Sequence, residues 1–319
     1  MPIEIVPLLP EHLPAAAEIV ASRCRSMRQK APLMPAQYGG AGAYLDALQR
    51  TQQSYPGAAA VQDGRLRGFL IGFLLPKFHG QPAAYSPEWG NGAAGPDAGR
   101  IIGLLYQEMA ARWVAAGAFS HLLSLFADGQ LGLSAWHMLG FGLTGADAVR
   151  SLEPVNAAMP GLNICRAEAE DAPLVNHMDA ALTAHMAASP AFWITGLDDY
   201  HDWFQDDEHC LFLAFDGQEA AGFIALEPGH PNGCRVLADP QGVKITGAFT
   251  YEAYRGRGVA AALLDHALAW AAESGYVRCT VDYETMNFVA SRFWNRYFQT
   301  VCHAMSRAID PRAGSWQPS

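Results

Sequence analysis

The sequence contains one pattern of segments twice, and this repetition limits the folds that the chain can adopt. Each copy has a pair of apolar runs around an Asp-Gly turn, then a run with helical spacing that ends at glycine and leads into a β-like run, then an aromatic segment. Asp-Gly between apolar runs predicts a β-hairpin, and glycine after the last helical residue predicts a helix end. Three pairs of segments match in the same order: Ala58–Leu75 with Leu211–Leu226, Leu104–Leu125 with Ala262–Val281, and Ala135–Gly142 with Phe293–Thr300. The order predicts a duplicated domain.

A seam without helical or strand periodicity, Ser151–Leu162, separates the two copies and contains two prolines and a glycine. We therefore predict domains at residues 1–155 and 156–319. Each reads as strand, one or two helices, hairpin, strand, helix, strand, helix, strand, which indicates an α/β (α+β) layer fold. Residues 77–100 are rich in Gly, Pro and Ala and are predicted to form a long loop.

Charge and composition exclude several classes of protein. The net charge of -10 argues against a nucleic-acid partner, because phosphate binding needs a basic face. No apolar run is long enough to span a bilayer, and no signal peptide is visible at the start. Six scattered cysteines without a CxxC pair predict free thiols and a cytoplasmic location. Eleven histidines show no metal-binding spacing, so we expect no metal.

One glycine-rich turn occurs in the second copy only. Arg255, Gly256, Arg257 and Gly258 follow a β-like run and precede a segment that is apolar on one helical face from Val259 onward. The first turn of a helix carries unpaired amides and partial positive charge, and glycine lets a ligand approach the backbone. The turn is therefore suited to an anion with several oxygens, such as a pyrophosphate.

The pattern Arg255-x-x-Gly258-x-Ala260 resembles the acetyl-CoA-binding motif of the GCN5-related N-acetyltransferase (GNAT) family. The resemblance continues through a strand and an aromatic-rich helix containing Asn287, Ala290, Phe293 and Trp294. It covers roughly Asn163–Arg307 well and residues 1–150 much less well. It implies two tandem GNAT-like domains, each a mixed, mostly antiparallel sheet flanked by helices.

Membership of this family implies acetyl-CoA as co-substrate, bound around the turn. The implied contacts are Phe249, Thr250, Arg255, Gly256, Arg257, Gly258, Val259, Ala260, Asn287 and Trp294. When the two copies are aligned on their shared glycine and tryptophan positions, Asp97, Arg100 and Ile102 fall opposite Arg255, Gly258 and Ala260. Residues of that size and charge would block a tight anion-binding turn, so the first domain is predicted to lack the cofactor site.

The chemistry that the resemblance implies is direct attack of an amine on the thioester, which requires the amine to be neutral. The family position for a carboxylate that takes the proton is Asp282. Glu252 and Glu284 are weaker candidates near the same end of the sheet. The family's acidic tyrosine falls at Trp294, which has no proton to give to a thiolate. Tyr297 lies about one helical turn further and is the alternative acid.

The acceptor side is expected in the segment His185–His209. Its aromatic and acidic side chains suit a cationic amine, although aromatics in the core and acids on a solvated face explain the same residues. The candidates are Trp193, Tyr200, His201, Trp203, Asp198, Asp199, Asp206 and Asp207.

The sequence thus predicts an acetyl-CoA-dependent N-acetyltransferase that acts on a small primary amine through its second domain. Two alternatives remain open: a non-catalytic acyl-CoA-binding sensor or interaction module, and an acetyltransferase like mycothiol synthase, which is also a tandem. We expect no nucleic-acid or membrane partner. The sequence allows a homodimer but does not fix the oligomeric state.

Overall fold

The computed structural model describes residues 2–157, 161–194, 196, 199–229 and 233–315, without the side chains of residues 130 and 131. The chain divides into two compact units. Unit 1 comprises Met1–Ala146, Cys234–Val236 and Thr300–Ser319, and unit 2 comprises Asp147–Gly233 and Leu237–Gln299. The last segment of the chain therefore belongs to unit 1, whereas the sequence pattern assigned it to the second domain.

Unit 1 contains two groups of paired strands and four helices among its described residues. Its elements are β1 (Glu4–Pro7), α1 (Leu13–Lys30), α2 (Gly42–Ser54), β2 (Ala58–Gln62), β3 (Arg65–Leu70), β4 (Phe73–Phe78), β5 (Gln81–Ser86), β6 (Asn91–Ala93), α3 (Ala98–Ala115), β7 (Ser120–Phe126), α4 (Gln130–Met138), the start of β8 (Gly142–Arg150) and nearly all of β14 (Gln299–Ala308). Strands β1, β2, β3 and β6 pair in that order, each antiparallel to its neighbour. Strand β5 pairs antiparallel with β4 and parallel with β7, which pairs antiparallel with β14.

Unit 2 is built on a sheet that has, as in unit 1, three antiparallel pairings followed by a parallel pairing. Its elements are the end of β8, then β9 (Leu162–Arg166), α5 (Ala172–Ala187), α6 (Tyr200–Trp203), β10 (Cys210–Asp216), β11 (Glu219–Pro228), β12 (Gly242–Thr250), α7 (Val259–Glu273), β13 (Arg278–Glu284) and α8 (Phe288–Tyr297). Strands β9 to β12 are antiparallel neighbours, and β13 lies parallel to β12.

Both predicted hairpins are confirmed, and the turn residues explain their geometry. Between β2 and β3, Asp63 and Gly64 have φ of +54° and +71°, the conformation of a type I′ turn. Between β10 and β11, Gly217 has φ of +65° at the first central position of a two-residue turn. Such turns match the twist of the paired strands and therefore fix their register.

The predicted long loop at residues 77–100 is wrong. The segment forms the end of β4 and all of β5 and β6, and α3 begins at Ala98. In unit 1, β5 pairs with β7 and β6 pairs with β3, so two short strands make the pairings that β12 makes alone in unit 2. Glycine is needed in this region for close approach, because a Cβ on Gly90 would lie 2.7 Å from the Ile71 carbonyl oxygen.

Helix α7 covers one face of the unit 2 sheet with the predicted apolar stripe. Val259, Leu263, Leu264, Ala267 and Leu268 are each at most 1% exposed. The opposite face is covered by α5 and α6, which contribute to a cluster around Leu211, Leu213 and Phe223. Within the described residues, no helix is both long and apolar enough to cross a membrane.

Candidate active site

The glycine turn lies between the end of β12 and the start of α7. Gly256 has φ of +73° and Gly258 has φ of +97°, both in the left-handed region that favours glycine. A Cβ on either residue would meet no atom within 4 Å, so backbone conformation and not crowding requires glycine here. Gly258 is the residue that precedes the first turn of α7.

Six consecutive amides of this turn remain open. Among the described residues, the N–H groups of residues 256–261 donate no hydrogen bond to a main-chain or side-chain acceptor. The first closed bond of the helix is from the Ala262 amide to the Gly258 carbonyl, at 3.0 Å. Helix α7 has 15 residues, so its dipole places partial positive charge at these amides. The turn is therefore an anion-binding surface made by the main chain.

The two arginines of the turn have different surroundings. The Arg255 Nε donates to the Thr250 carbonyl oxygen at 3.1 Å, and Arg255 lines the adjoining cavity. Arg257 is exposed, its guanidinium lies 3.2 Å from the Asp216 carboxylate, and it packs over the Tyr254 ring. Arg257 does not line the cavity. Of the two, Arg255 is therefore the one positioned to face a bound anion.

A cavity of about 430 Å³, here called the donor cavity, opens at the turn. Most predicted coenzyme contacts line it: Phe249, Thr250, Arg255, Gly256, Gly258, Val259, Ala260, Asn287 and Trp294. Tyr297 lines it too, as do two arginines on one face of α8, Arg292 and Arg296. No carboxylate among the described residues lines it. The cavity is thus basic within a protein whose net charge is -10.

A second cavity of about 210 Å³, here called the acceptor cavity, adjoins the first. It lies where β12 and β13 separate, since their parallel pairing ends at Ile245 and Val281 while both strands continue. The two cavities share Leu182, Ala248, Asn287, Ala290 and Trp294. Molecules that enter from the two sides could therefore meet at these residues.

The predicted base Asp282 lines the acceptor cavity and is already part of an ion pair. The Lys244 ammonium lies 2.6 Å from the Asp282 carboxylate, and the Lys244 side chain is only 5% exposed. Lys244 comes from β12, where it is in register with Thr280, two residues before Asp282 on β13. Removing the carboxylate would take an ion-pair partner from a buried ammonium, so Asp282 has a structural role whatever its chemistry.

Glu284 lies two residues further along β13 and also lines the acceptor cavity. Burial raises the pKa of this carboxyl above its usual value, and the charge of Asp282 adds to the increase. A carboxylate with a raised pKa is a better proton acceptor at neutral pH. Glu252 lines neither cavity. Sequence reasoning ranks Glu284 below Asp282 as a candidate base, because carboxylates in loops are usually solvated. The burial of Glu284 cannot be read from the order of residues.

Asn287 joins the two cavities and caps α8. Its Oδ1 accepts from the Ala290 amide at 3.3 Å and lies 3.4 Å from the His185 Nε2. Its Nδ2 donates to the Met186 sulfur at 3.2 Å. These contacts tie α8 to α5, so Asn287 holds the junction of the two cavities in place.

The aromatic residues of α8 lie at the same junction. Trp294 is 7% exposed and lines both cavities, while Tyr297 lines the donor cavity only. Phe293 packs against both of them, with ring centroids 4.8 Å from Trp294 and 5.0 Å from Tyr297. The Tyr297 side chain is therefore on the donor side of the junction, and its assignment as the acid stays a prediction.

Only one of the predicted acceptor-side residues that the structure describes lines the acceptor cavity. Tyr200 does so, but Trp203 stacks with His209 and donates from Nε1 to Glu227 at 3.0 Å. Asp199 accepts from the His201 amide and caps α6, and Asp198 lies outside the described residues. Trp193, His201, Asp206 and Asp207 do not line the cavity. Sequence reasoning missed Asp179, a carboxylate of α5 that does line it.

In unit 1, the helix that corresponds to α7 begins one turn earlier. Helix α3 starts at Ala98, and the predicted alignment places residues 98–100 opposite the turn residues 256–258. Arg100 is consequently helical, and Ile102 faces a cavity of about 330 Å³ in unit 1. That cavity contains an ion pair of Arg23 with Asp128, at 3.1 Å. The residues that would form a counterpart of the glycine turn are thus the first turn of α3 itself.

Comparison with known protein families gives a match in unit 2. Residues 178–298 match the sequence model of the family described as "Acetyltransferase (GNAT) family". Among curated proteins, none matches the sequence.

Solved structures share the fold. The chain resembles a GCN5-related N-acetyltransferase from Sphaerobacter thermophilus, with a TM-score of 0.58 and 14% identity over 97% of this chain and 96% of that one. It also resembles a fungal structure described as a GCN5-related glucosamine N-acetyltransferase region of a multi-domain GH3 β-N-acetylglucosaminidase. There the TM-score is 0.50 and the identity 12%, over 96% of this chain and 38% of that one. The first likeness spans both halves of the chain and confirms the predicted fold class.

Proposed function

Because residues 178–298 form a domain of the GNAT acetyltransferase family, we propose that unit 2 transfers an acetyl group from acetyl-CoA to a small primary amine. The observation that carries this proposal is the run of open amides at residues 256–261 beside the donor cavity. A pyrophosphate supplies several negative oxygens, and each can accept a charge-assisted hydrogen bond from such an amide. The family's use of acyl-CoA donors supports the same assignment.

The two adjoining cavities support direct transfer without an acyl-enzyme intermediate. The thioester lies at the shared residues, and the amine arrives from the acceptor cavity and attacks the carbonyl carbon. A C–N bond forms, the C–S bond breaks, and the amine proton goes to a carboxylate and then to solvent. Holding both reactants in one geometry is itself a large contribution to the rate.

We assign the proton acceptor to Glu284 and keep Asp282 as the partner of Lys244. Glu284 lines the acceptor cavity with a raised pKa, whereas the carboxylate of Asp282 already has an ammonium 2.6 Å away. Tyr297 is the proposed donor of a proton to the leaving thiolate, since its side chain lines the donor cavity. The CoA thiolate is a good leaving group because the pKa of a thiol lies only slightly above neutral pH. Tyr297 is therefore expected to assist departure of the thiolate but not to be essential.

Unit 1 is proposed to be a non-catalytic copy of the domain. The earlier start of α3 replaces the turn that would supply open amides, and Asp97 would repel an anion at the same place.

The test is a binding measurement followed by a rate measurement. Calorimetry should show that CoA binds, and a variant that disturbs the glycine turn should bind it more weakly. A thiol-release assay with acetyl-CoA should show turnover on simple primary amines. Absence of CoA binding would refute the assignment. Tight CoA binding without turnover on any amine would instead identify a non-catalytic acyl-CoA-binding module.

A further inference from the structure

The cavity of about 330 Å³ in unit 1, here called the unit 1 cavity, is the counterpart of part of the donor cavity. All of its lining residues belong to unit 1. At the offset that aligns the two copies, several of them fall opposite residues that line the donor cavity. The pairs are Ile102 with Ala260, Leu105 with Leu263, Gly129 with Asn287, Gly132 with Ala290 and Trp136 with Trp294. Unit 1 has therefore kept the space where the reactants would meet in unit 2, although it lacks the glycine turn.

Most of the wall of the unit 1 cavity is apolar and buried. Phe69, Leu70, Leu105, Leu125 and Trp136 line it, and each is at most 3% exposed. Protein interiors are closely packed and leave few voids larger than a water molecule. The volume of about 330 Å³ lies at the lower end of the range of about 300–1,000 Å³ that is typical of small-molecule sites. The cavity therefore has the size and the lining to hold a small molecule with an apolar body.

One ion pair supplies the charge of this cavity. The Arg23 guanidinium donates from Nε and Nη2 to the two carboxylate oxygens of Asp128, at 3.2 and 3.1 Å. The two side chains are 18% and 17% exposed, so the charged end of the cavity is open to solvent. A guanidinium has five N–H donors and a carboxylate accepts about four hydrogen bonds. The pair therefore has donors and acceptors left over for a ligand.

The opposite signs of the pair select for the charge of a ligand. A ligand with a cation alone would lie close to Arg23, and a ligand with an anion alone would lie close to Asp128, so each would meet a like charge. A zwitterion avoids both conflicts, because its anion faces the guanidinium and its cation faces the carboxylate. Each contact is then a charge-assisted hydrogen bond. An α-amino acid carries these two charges on one carbon atom.

From these features we propose that the unit 1 cavity binds an α-amino acid with an apolar side chain. The carboxylate of the ligand pairs with Arg23, its ammonium pairs with Asp128, and its side chain packs against Leu105, Leu125 and Trp136. The first domain is then a binding domain for a small metabolite and not only a copy that has lost the coenzyme. This inference concerns unit 1 alone and does not depend on the chemistry of unit 2.

The experiment compares ligands that differ by one group. Calorimetry measures the affinity for leucine, for 3-methylbutylamine, which lacks the carboxylate, for 4-methylpentanoate, which lacks the amine, and for glycine, which lacks the apolar body. A parallel series uses phenylalanine, phenethylamine and 3-phenylpropanoate. The better of the two amino acids should bind with Kd below about 1 mM and exceed each of its analogues by roughly 10- to 100-fold, the worth of one charge-assisted contact. Absence of binding by both amino acids, or equal affinity for an amino acid and its singly charged analogues, would overturn the inference.

A variant that fills the cavity tests where the amino acid binds. A Cβ on Gly132 of α4 would meet only the Arg23 Nη2 within 4 Å, at 3.9 Å, so Gly132→Leu places a side chain in the cavity without a clash. Gly103 of α3 has no atom within 4 Å of an added Cβ and does not line the cavity. Gly103→Leu is thus a matched control, because both variants gain helix propensity alike. Gly132→Leu should abolish amino-acid binding, and Gly103→Leu should keep it; wild-type affinity in a folded Gly132→Leu protein would overturn the inference.

A second variant tests the role of the ion pair. Arg23→Gln should bring the affinity for leucine to within about threefold of that for 3-methylbutylamine, because the carboxylate of the ligand has lost its partner. Urea unfolding reports whether each variant is folded. A wild-type preference for leucine in folded Arg23→Gln would refute the proposed contact, and the wild-type ligand series tests the inference even if a variant does not fold. Because every readout is binding to unit 1, loss of CoA binding or of turnover in unit 2 would overturn the proposed function and leave this inference standing.

Discussion

Replacing Gly258 with alanine separates the conformational role of the turn from its binding role. Gly258 has φ of +97°, and an added Cβ would meet no atom within 4 Å, so alanine adds strain without a steric clash. Gly275, at the other end of α7, has φ of +85° and equally open surroundings. It lines neither cavity. Gly275→Ala is therefore a matched control for backbone strain at the same helix.

The two variants should lose similar stability but different affinity. A left-handed alanine costs about 1–2 kcal/mol, and the stiffer unfolded chain offsets about 0.4–1 kcal/mol of that. Each variant is thus expected to lower the free energy of unfolding by about 1 kcal/mol. In Gly258→Ala, relief of the strain also rotates the neighbouring amides away from the pyrophosphate. Loss of one charge-assisted hydrogen bond, about 1.5–3 kcal/mol, weakens CoA binding by roughly 10- to 150-fold.

Urea unfolding measures the first effect and calorimetric titration with CoA measures the second. Gly275→Ala should bind CoA with wild-type affinity despite its lower stability. If Gly258→Ala also keeps wild-type affinity while both variants lose stability, the amides of residues 256–261 do not hold the coenzyme. If neither variant loses stability, the left-handed turn itself is wrong.

Three further predictions concern the charged groups. Glu284→Gln should lower kcat by about 10²- to 10⁴-fold. It should also remove the fall in rate at acidic pH, because that fall reports protonation of the base. In the wild-type protein the fall should occur above the ordinary glutamate pKa of about 4.3, because burial raises the pKa of Glu284. A retained fall in rate at acidic pH would exclude Glu284 as the base. Arg292→Gln should weaken CoA binding by roughly 3- to 10-fold at low salt and by less at high salt. Arg166→Gln, at an exposed site outside the donor cavity, is the control and should leave CoA binding unchanged. Calorimetric titration at two salt concentrations measures both effects. Burial lowers the pKa of His121 in unit 1 to about 4 from 6.5, so the folded protein favours the neutral imidazole. This preference contributes about 3 kcal/mol to the free energy of unfolding, a contribution that is complete above pH 6.5 and is lost as the pH falls toward 4. Urea unfolding between pH 7 and 4.5 should therefore show a flatter pH dependence in His121→Gln, and equal slopes would refute the assignment.

The expectation for His121 follows from one hydrogen-bonded chain in unit 1. Its Nε2 lies 3.2 Å from the Ala118 carbonyl oxygen, which can only accept, so Nε2 carries the proton. The Nδ1 then accepts from the Tyr106 hydroxyl at 2.8 Å, and the Arg307 guanidinium donates to the same hydroxyl at 3.2 Å. A second proton on the imidazole would break the bond from Tyr106 and place a cation near Arg307.

Local signals in the sequence were sufficient for much of the fold. Asp-Gly turns fix both hairpins because their left-handed residues suit only a tight turn. The stripe on α7 and the left-handed glycines after α3 and α7, Gly117 and Gly275, identify both helices. The prediction of a long loop at residues 77–100 failed because glycine and alanine there allow close packing. Ala83 and Ala84, for example, are fully buried in a strand. A single sequence does not distinguish a glycine that bends the chain from one that admits a neighbour.

The candidate site was predicted best where one contiguous segment makes it. The turn and its left-handed glycines are such a segment, but the charges around it depend on contacts between distant residues. Arg257 pairs with Asp216, and Lys244 pairs with Asp282 from the neighbouring strand. Asp179 lies more than a hundred residues before Glu284, so only the packing of α5 against the sheet places both in one cavity. Two arginines at an i, i+4 spacing on α8 were the available signal for the basic wall of the donor cavity.

The position of β14 in the chain bears on the order of events during synthesis. This strand pairs with β7 of unit 1, although about 170 residues of polypeptide separate them. On the ribosome, β7 has to wait for about 170 further residues before its partner emerges, whereas β9 to β13 are complete before that point. Unit 1 is therefore expected to mature after unit 2 although most of it is made first, and it stays open to proteases and chaperones while those residues are synthesised.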